Sequence, residues 1–336
     1  MLGNTTEQRV RSLPRLKITL QIFMLSIVFW GGWRVVGQVT DELKEQSLSF
    51  AEVDCVWLAI GGVLYLFALL PSWLFWHRVM QAMRQQPRLL DSFRAFFVGN
   101  LGKYVPGKVL VVVLRTGLVK NERVDASVAA LGVFIETLTM MAVGGCLAAG
   151  LLPFCFDRQW WLTGLALGLM LCSGIPTVPP IFRQIVRIVG VKRFNPEIEQ
   201  CLQRVDWKLM VYGWSTITIG WCLMGMSLWA TLEAVSPAMA EPLDLGFAAH
   251  FPLLVAAVSL SMVAGFLSLL PGGVGARELV VVPLLQPQFG LTVAVTAAAL
   301  LRISWIVSEA IISIILYLGF RRRPTLAAAK PDAASD

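Results

Sequence analysis

The chain has 336 residues, 57% of them hydrophobic and 15% charged, with a mean hydropathy of +0.70. Soluble domains carry about 25% charged residues, so this balance excludes an ordinary soluble globule and predicts an all-α polytopic membrane protein. The net charge of +7 and pI near 9.3 do not point to nucleic acid, because most Lys and Arg lie in short blocks between apolar runs, as membrane topology requires.

In chain order, Arg9, Arg11, Arg15 and Lys17 precede an apolar run at 18–33. That resembles a signal peptide, but Trp33-Arg34-Val35-Val36 offers no small-residue cleavage site, so an uncleaved first span at 17–36 is expected. Further spans are predicted at 54–77, 126–152, 160–181, 209–232 and 292–319, each long enough to cross a bilayer at roughly 20 helical residues. Basic blocks at the N-terminus, 78–94, 183–208 and Arg321-Arg322-Arg323 should face the cytoplasm. The acidic loops 37–53 and 233–250 should face outward. Both termini are then cytoplasmic, in a multi-pass protein of the cell (inner) membrane. Twelve Trp suit membrane interfaces. Six Cys without a C-x-x-C pair read as packing residues, and His77 and His250 announce no metal site.

Two apolar stretches remain. The stretch 95–118 lies between basic segments, so it should enter the membrane and return. The stretch 247–290 must also leave the crossing count unchanged; it has room for two short helices around Pro271-Gly272-Gly273. Broken backbone at membrane depth is tolerated only when buried in protein or lining a wet cavity. The expected architecture is therefore about six spans plus two re-entrant Gly/Pro-broken hairpins. The halves, about 1–155 and 156–320, match with opposite orientation, an inverted-topology repeat. Gly99-x-Leu101 before Pro106-Gly107 echoes Gly265-x-Leu267 before Pro271-Gly272. The rival count is eight plain helices, with both hairpins spanning. Residues 1–320 form the membrane domain, and 321–336 a basic, then disordered, cytoplasmic tail.

The first hairpin contains Gly102-Lys103-Tyr104-Val105-Pro106-Gly107-Lys108, a P-loop pattern but for Val109 where Ser or Thr should follow. No βαβ pattern surrounds it and Val109 cannot hold Mg²⁺, so nucleotide binding is not expected. The stretch offers Lys103 and Lys108 around a Pro-Gly break, with Arg115 beyond. Freed N–H groups and cationic side chains suit an anion such as a lipid phosphate. Alternatively, both lysines snorkel to the headgroups and anchor the hairpin.

The run Asn100-Leu101-Gly102-Lys103-Tyr104-Val105-Pro106-Gly107-Lys108, with Leu270-Pro271-Gly272-Gly273-Val274-Gly275-Ala276-Arg277-Glu278 far downstream, resembles the membrane domain of lysylphosphatidylglycerol synthases and their flippase-like relatives. The resemblance covers nearly the whole chain. That family has a Glu-Arg pair in the span after the first motif; Glu136 matches it, but Thr137 replaces the Arg. The Arg of the family's last span is matched by Arg302. The resemblance implies handling of lipid headgroups across a membrane, and lipid-synthesising partner enzymes. The synthases add a soluble aminoacyl-transfer domain, for which no room is expected after the last span here.

Ionisable groups at membrane depth are costly and mark function by default. Glu136 lies deep in 126–152, and Arg302 and Glu309 share a face of 292–319. Glu136 and Arg302 follow Pro106 and Pro271 at similar distances, so the repeat predicts that they pair or jointly contact a headgroup; the plain alternative is a structural ion pair. Arg277 can bind a phosphate bidentately, with Glu278 holding its guanidinium, or the two can simply pair with each other. The candidate substrate-binding set is Asn100, Lys103, Tyr104, Lys108, Arg115, Glu136, Arg277, Glu278, Arg302 and Glu309. The hairpin breaks are Pro106, Gly107, Pro271, Gly272 and Gly273. The expected function is a lipid flippase working by alternating access, without catalytic residues, metal or cofactor. The alternatives are a small-solute transporter and an enzyme acting on a lipid carrier, for which Asp91 and Asp125 are the cytoplasmic carboxylates to consider. Composition does not name the lipid, the energy source or the oligomeric state.

Overall fold

The computed structural model describes residues 53–104, 109–121, 123–155, 198–238, 246–268 and 270–319, with scattered positions between 164 and 184. The expected span 17–36, Pro106, Gly107, Lys108 and the tail lie outside the described residues, as do ten of the 22 residues of 160–181. The helices are α1 (Cys55–Ala82), α2 (Leu89–Asn100), α3 (Val109–Val119), α4 (Ala126–Cys155), α5 (Ile198–Gln203), α6 (Trp207–Val235), α7 (Phe247–Leu267) and α8 (Glu278–Gly319). Single 3₁₀ turns lie at Leu101–Tyr104, Ile175–Thr177, Ser236–Ala238 and Pro271–Gly273. The described residues contain no strand, only an isolated bridge between Asn121 and Val124.

Among the described residues, five segments are long and apolar enough to cross a membrane: Cys55–Ala82, Ala126–Cys155, Trp207–Ala238, Phe247–Leu267 and Glu278–Gly319. They coincide with the spans expected at 54–77, 126–152, 209–232 and 292–319, plus one surprise. The 247–290 stretch holds two helices around Pro271–Gly273, as expected, but the first is not short. Its first helix, α7, has 21 residues, about 30 Å at 1.5 Å per residue, and is long enough to cross by itself. Pro252, the sixth residue of α7, removes one i→i−4 hydrogen bond, yet the helix continues through it to Leu267.

Local signals set the helix starts. Asp54 caps α1 by accepting from the N–H groups of Val56 and Trp57, Asp125 caps α4 through Ser127 and Val128, and Asp206 caps α6 through Leu209. Asp125 therefore spends its carboxylate on a helix end. The Asp54 N–H donates to Ala234 O at 2.9 Å, which ties the start of α1 to the end of α6 and makes the two antiparallel. Their seam uses small residues, as helices in lipid require for close approach: Ser227 donates to Gly61 O at 2.7 Å, and Trp305 of α8 donates to the same hydroxyl at 2.9 Å. Large rings fill the rest of the core, with Trp76, Trp221, Phe75, Phe96 and Phe97 almost fully buried.

The described residues show a 3₁₀ turn at Leu101–Tyr104 after α2 and another at Pro271–Gly273 after α7; the predicted break at Pro106 and Gly107 lies outside the described residues. The first joins α2 to α3, which pack against each other. Gly102 permits this: a Cβ there would lie 2.6 Å from Val111 N, so any larger residue would push the two limbs apart. The second break is the turn at Pro271–Gly273. Gly272 has φ +59° and Gly273 φ +68°, a region that favours glycine. The helix that follows kinks again at Gly290 (φ +80°), so α8 is a short limb and then a long apolar run.

Candidate functional site

The two breaks meet. A Cβ on Gly272 would lie 3.1 Å from Cδ1 of Tyr104, the residue that ends the first 3₁₀ turn. Around this contact the chain gathers six of the ten residues expected at the site: Lys103, Tyr104, Arg277, Glu278, Arg302 and Glu309.

Glu309 anchors one side. It is fully buried (0% exposed) in the long run of α8 and accepts three hydrogen bonds. Tyr65 of α1 donates to Oε1, Lys103 Nζ donates to the same oxygen at 2.5 Å, and Tyr104 donates to Oε2 at 2.9 Å. Lys103 also donates to the Tyr65 hydroxyl at 3.0 Å, and its ammonium lies 5.7 and 5.2 Å from the ring centroids of Tyr65 and Tyr104. Two aromatic faces and a carboxylate thus form a cation cage, held here by the chain's own lysine. Trp305 stacks on Tyr65 at 4.3 Å and fixes its ring.

The other side is built on the second break. Arg302, 8% exposed, donates through Nη1 to Glu278 Oε1 at 2.5 Å and through Nη2 to Gly272 O at 3.4 Å. Arg277 lies along the same turn; a Cβ on Gly273 would stand 2.9 Å from its Nε. Arg277 forms no ion pair among the described residues. The Nε atoms of Arg277 and Arg302 and Oε2 of Glu278 are buried without a hydrogen-bond partner. Each such orphan costs about 1–3 kcal/mol, and three of them lie at this one turn.

A second cluster lies beside the first break. Arg115 of α3 donates through Nη1 to Glu136 Oε2 at 2.8 Å and through Nη2 to Asn100 Oδ1 at 2.6 Å. Its guanidinium packs over the Phe96 ring at 4.0 Å. Arg115 is 4% and Glu136 2% exposed, so the pair is closed off from solvent.

This overturns the expected Glu136–Arg302 pair. Each takes its partner from the limb preceding its own span: Glu136 from α3, Arg302 from the start of α8. Equal sequence distance after a break is a weaker guide than the limb that packs alongside. Arg277 and Glu278 do not pair with each other either, and Glu278 holds the guanidinium of Arg302 rather than that of Arg277. Thr137, where the resemblance expects Arg, contributes a hydroxyl 3.4 Å from Glu136 Oε2; the cation for this carboxylate comes from Arg115. Tyr65 and Trp305 were not anticipated. The signal available was a phenol in an aliphatic span, in a chain with only four Tyr. Among the described residues no group of His, Cys, Asp and Glu could hold a metal.

Apolar helices long enough to span and a buried polar centre where two helix breaks touch define a multi-pass membrane protein with ionisable groups at depth. The chain belongs to the family of the lysylphosphatidylglycerol synthase TM region, which matches residues 21–312 and so ties it to lipid biology. No curated protein and no solved structure matched.

Proposed function

We propose that the chain is a lipid flippase, moving a phospholipid or lipid-carrier headgroup across the cell membrane by alternating access. The observation that carries this reading is the centre at the touching breaks: Arg277 without an ion pair among the described residues, with its own Nε and two neighbouring atoms, Arg302 Nε and Glu278 Oε2, buried without hydrogen-bond partners. A headgroup phosphate would take Arg277 bidentately, while the tails stay in lipid. In this reading both helix–break–helix units are re-entrant elements of an inverted repeat, and the termini are cytoplasmic. α7, the first limb of the second unit, is long for a re-entrant limb at 21 residues, and it is then the element that tilts or slides when access alternates.

A solute transporter would need polar residues along several helices. Among the described residues the buried Arg and Glu side chains gather at the two breaks instead, which favours a headgroup over a solute path. An enzyme acting on a lipid carrier would draw on Asp91 and Asp125, and the Asp125 carboxylate caps α4.

The test is movement of headgroup-labelled lipids in proteoliposomes, with wild type compared with Lys103→Ala and Arg277→Ala. Wild type should move at least one lipid, and both variants should lose that movement while staying monodisperse. Folded wild-type protein that moves none of the phospholipids or polyprenyl phosphates supplied would overturn the reading.

A further inference from the structure

The seam between α1 and α6 closes on glycines. A Cβ on Gly213 would overlap Cε2 of Phe75, and one on Gly220 would lie 2.8 Å from Ala68 O, so the two helices touch closely through their apolar middle. Toward the end of α1 and the start of α6 the side chains become long and polar. There the seam opens into a cavity of about 540 Å³ lined by Arg78, Gln81, Ala82, Lys208, Leu209 and Tyr212. Small-ligand sites run to about 300–1,000 Å³. Two of the basic blocks expected at the cytoplasmic face, 78–94 and 183–208, thus meet at one opening.

One wall of this cavity is fixed from behind. The Ser92 hydroxyl donates to Leu89 O at 2.9 Å, so it accepts from Trp73 Nε1 at 3.2 Å and from His77 Nδ1 at 2.8 Å. His77 Nε2 is then the acceptor, and Gln81 Nε2 donates to it at 3.1 Å. That turns the Gln81 oxygen to Arg78, whose Nη1 donates to it at 3.4 Å. His77 and Ser92 are buried, so the chain of bonds ties Arg78 to both α1 and α2. Neither Arg78 nor Lys208 has an ion pair among the described residues. The carboxylate nearest Lys208 in sequence, Asp206, is held by the Leu209 N–H at 2.9 Å.

The surroundings are those of a membrane interface. Trp207, beside the opening, is 61% exposed, a position that suits a ring at headgroup level. From Arg78 the same face of α1 runs through Leu74, Phe67 and Val63, all exposed, and α6 runs from Tyr212 to an exposed Ile219. A cationic opening at the interface therefore leads onto an apolar stripe that points into the bilayer.

We propose that this cavity holds an anionic phospholipid of the surrounding leaflet, with its phosphate between Arg78 and Lys208 and an acyl chain along the α1–α6 face. It is a resident lipid that braces the seam, and its site shares no residue with the contact between the breaks. Basic pockets between helices at the cytoplasmic side suit such headgroups. Arg78 offers a fork for two phosphate oxygens, Lys208 a point charge, and the Tyr212 hydroxyl a further donor. Two cations without counter-charge favour an anionic headgroup over a zwitterionic one, whose ammonium they would repel.

The experiment is lipid retention by the purified full chain in mixed micelles, read by native mass spectrometry. Phosphatidylglycerol and phosphatidylcholine are supplied on one set of tails. Arg277→Gln serves as the background, so that binding at the contact between the breaks does not enter the reading. That protein should retain phosphatidylglycerol over phosphatidylcholine by about tenfold or more, a difference of about 1.4 kcal/mol. Adding Arg78→Gln and Lys208→Gln should bring the ratio near unity, while adding Arg78→Lys alone should keep most of it. Both side chains are exposed, so the variants should fold. Phosphatidylglycerol should also raise the unfolding midpoint of wild type and leave that of the Arg78→Gln, Lys208→Gln protein unmoved. A ratio near unity before Arg78 and Lys208 are changed, or one unmoved by changing them, would overturn the proposal. So would displacement of the lipid by inorganic phosphate, which would make the site one for a soluble anion.

Discussion

Glu136→Ala should destabilise the protein by about 3–5 kcal/mol, the range for stripping a buried charge of its partner. The residue it abandons is Arg115, 4% exposed, pressed on Phe96 and with Nε already unpartnered. Asn100 remains, but a neutral amide oxygen does not balance a guanidinium. Removing both charges with shape-matched apolar residues, Arg115→Met with Glu136→Leu, should recover most of the loss, because such replacements of a whole buried pair are often near neutral. Reversible unfolding in mixed detergent, followed by tryptophan fluorescence, gives the cycle. Losses that simply add would contradict the pairing. The same logic predicts that swapping charges between Glu136 and Arg302 rescues nothing, since each already has another partner.

Glu309→Gln should slow headgroup movement by about tenfold or more while the protein stays folded, since removing one charged hydrogen bond is worth about 1.5–3 kcal/mol. The carboxylate joins α1, the first break and α8 through Tyr65, Lys103 and Tyr104. A glutamine offers one acceptor oxygen and an NH₂ where three donors converge, so Lys103 loses its counter-charge and one phenol loses its acceptor. In the flippase account this bond holds the first break against the last apolar run, and its exchange accompanies the change of access. Lys103→Gln combined with Glu309→Gln should restore stability relative to Glu309→Gln alone, yet leave transport slow. Transport rates of the single and double variants in proteoliposomes, beside their unfolding midpoints, separate the two roles. Unchanged transport in Glu309→Gln would show the bond to be packing only.

What the sequence disclosed followed from chemistry with a short reach. Pro271-Gly272-Gly273 announced a turn that other residues cannot make, and the turn is there with two positive φ angles. Uniform apolar runs announced long helices at α1, α4, α6 and the end of α8. Charges at depth announced a polar cluster, and six of the ten residues expected at the candidate site surround the contact between the breaks. Partner choice was not disclosed, because it depends on which limb lies beside which span. Matching Glu136 to Arg302 by their distance from a break ignored the nearer Arg115 and Glu278. The length of α7 was hidden by Pro252 and by the requirement that 247–290 not change the crossing count. Tyr65 was hidden because one phenol in a long aliphatic run carries no spacing pattern.

The central claim is that a lipid headgroup occupies the contact between the two breaks. Phospholipid carrying a photoreactive headgroup, incorporated into membranes holding the full chain and mapped by mass spectrometry after illumination, tests it most directly. The account predicts adducts at Lys103–Tyr104 and at Gly272–Glu278, suppressed in Arg277→Gln. Adducts confined to the lipid-exposed faces of the helices, with both breaks unlabelled in folded wild-type protein, would contradict it.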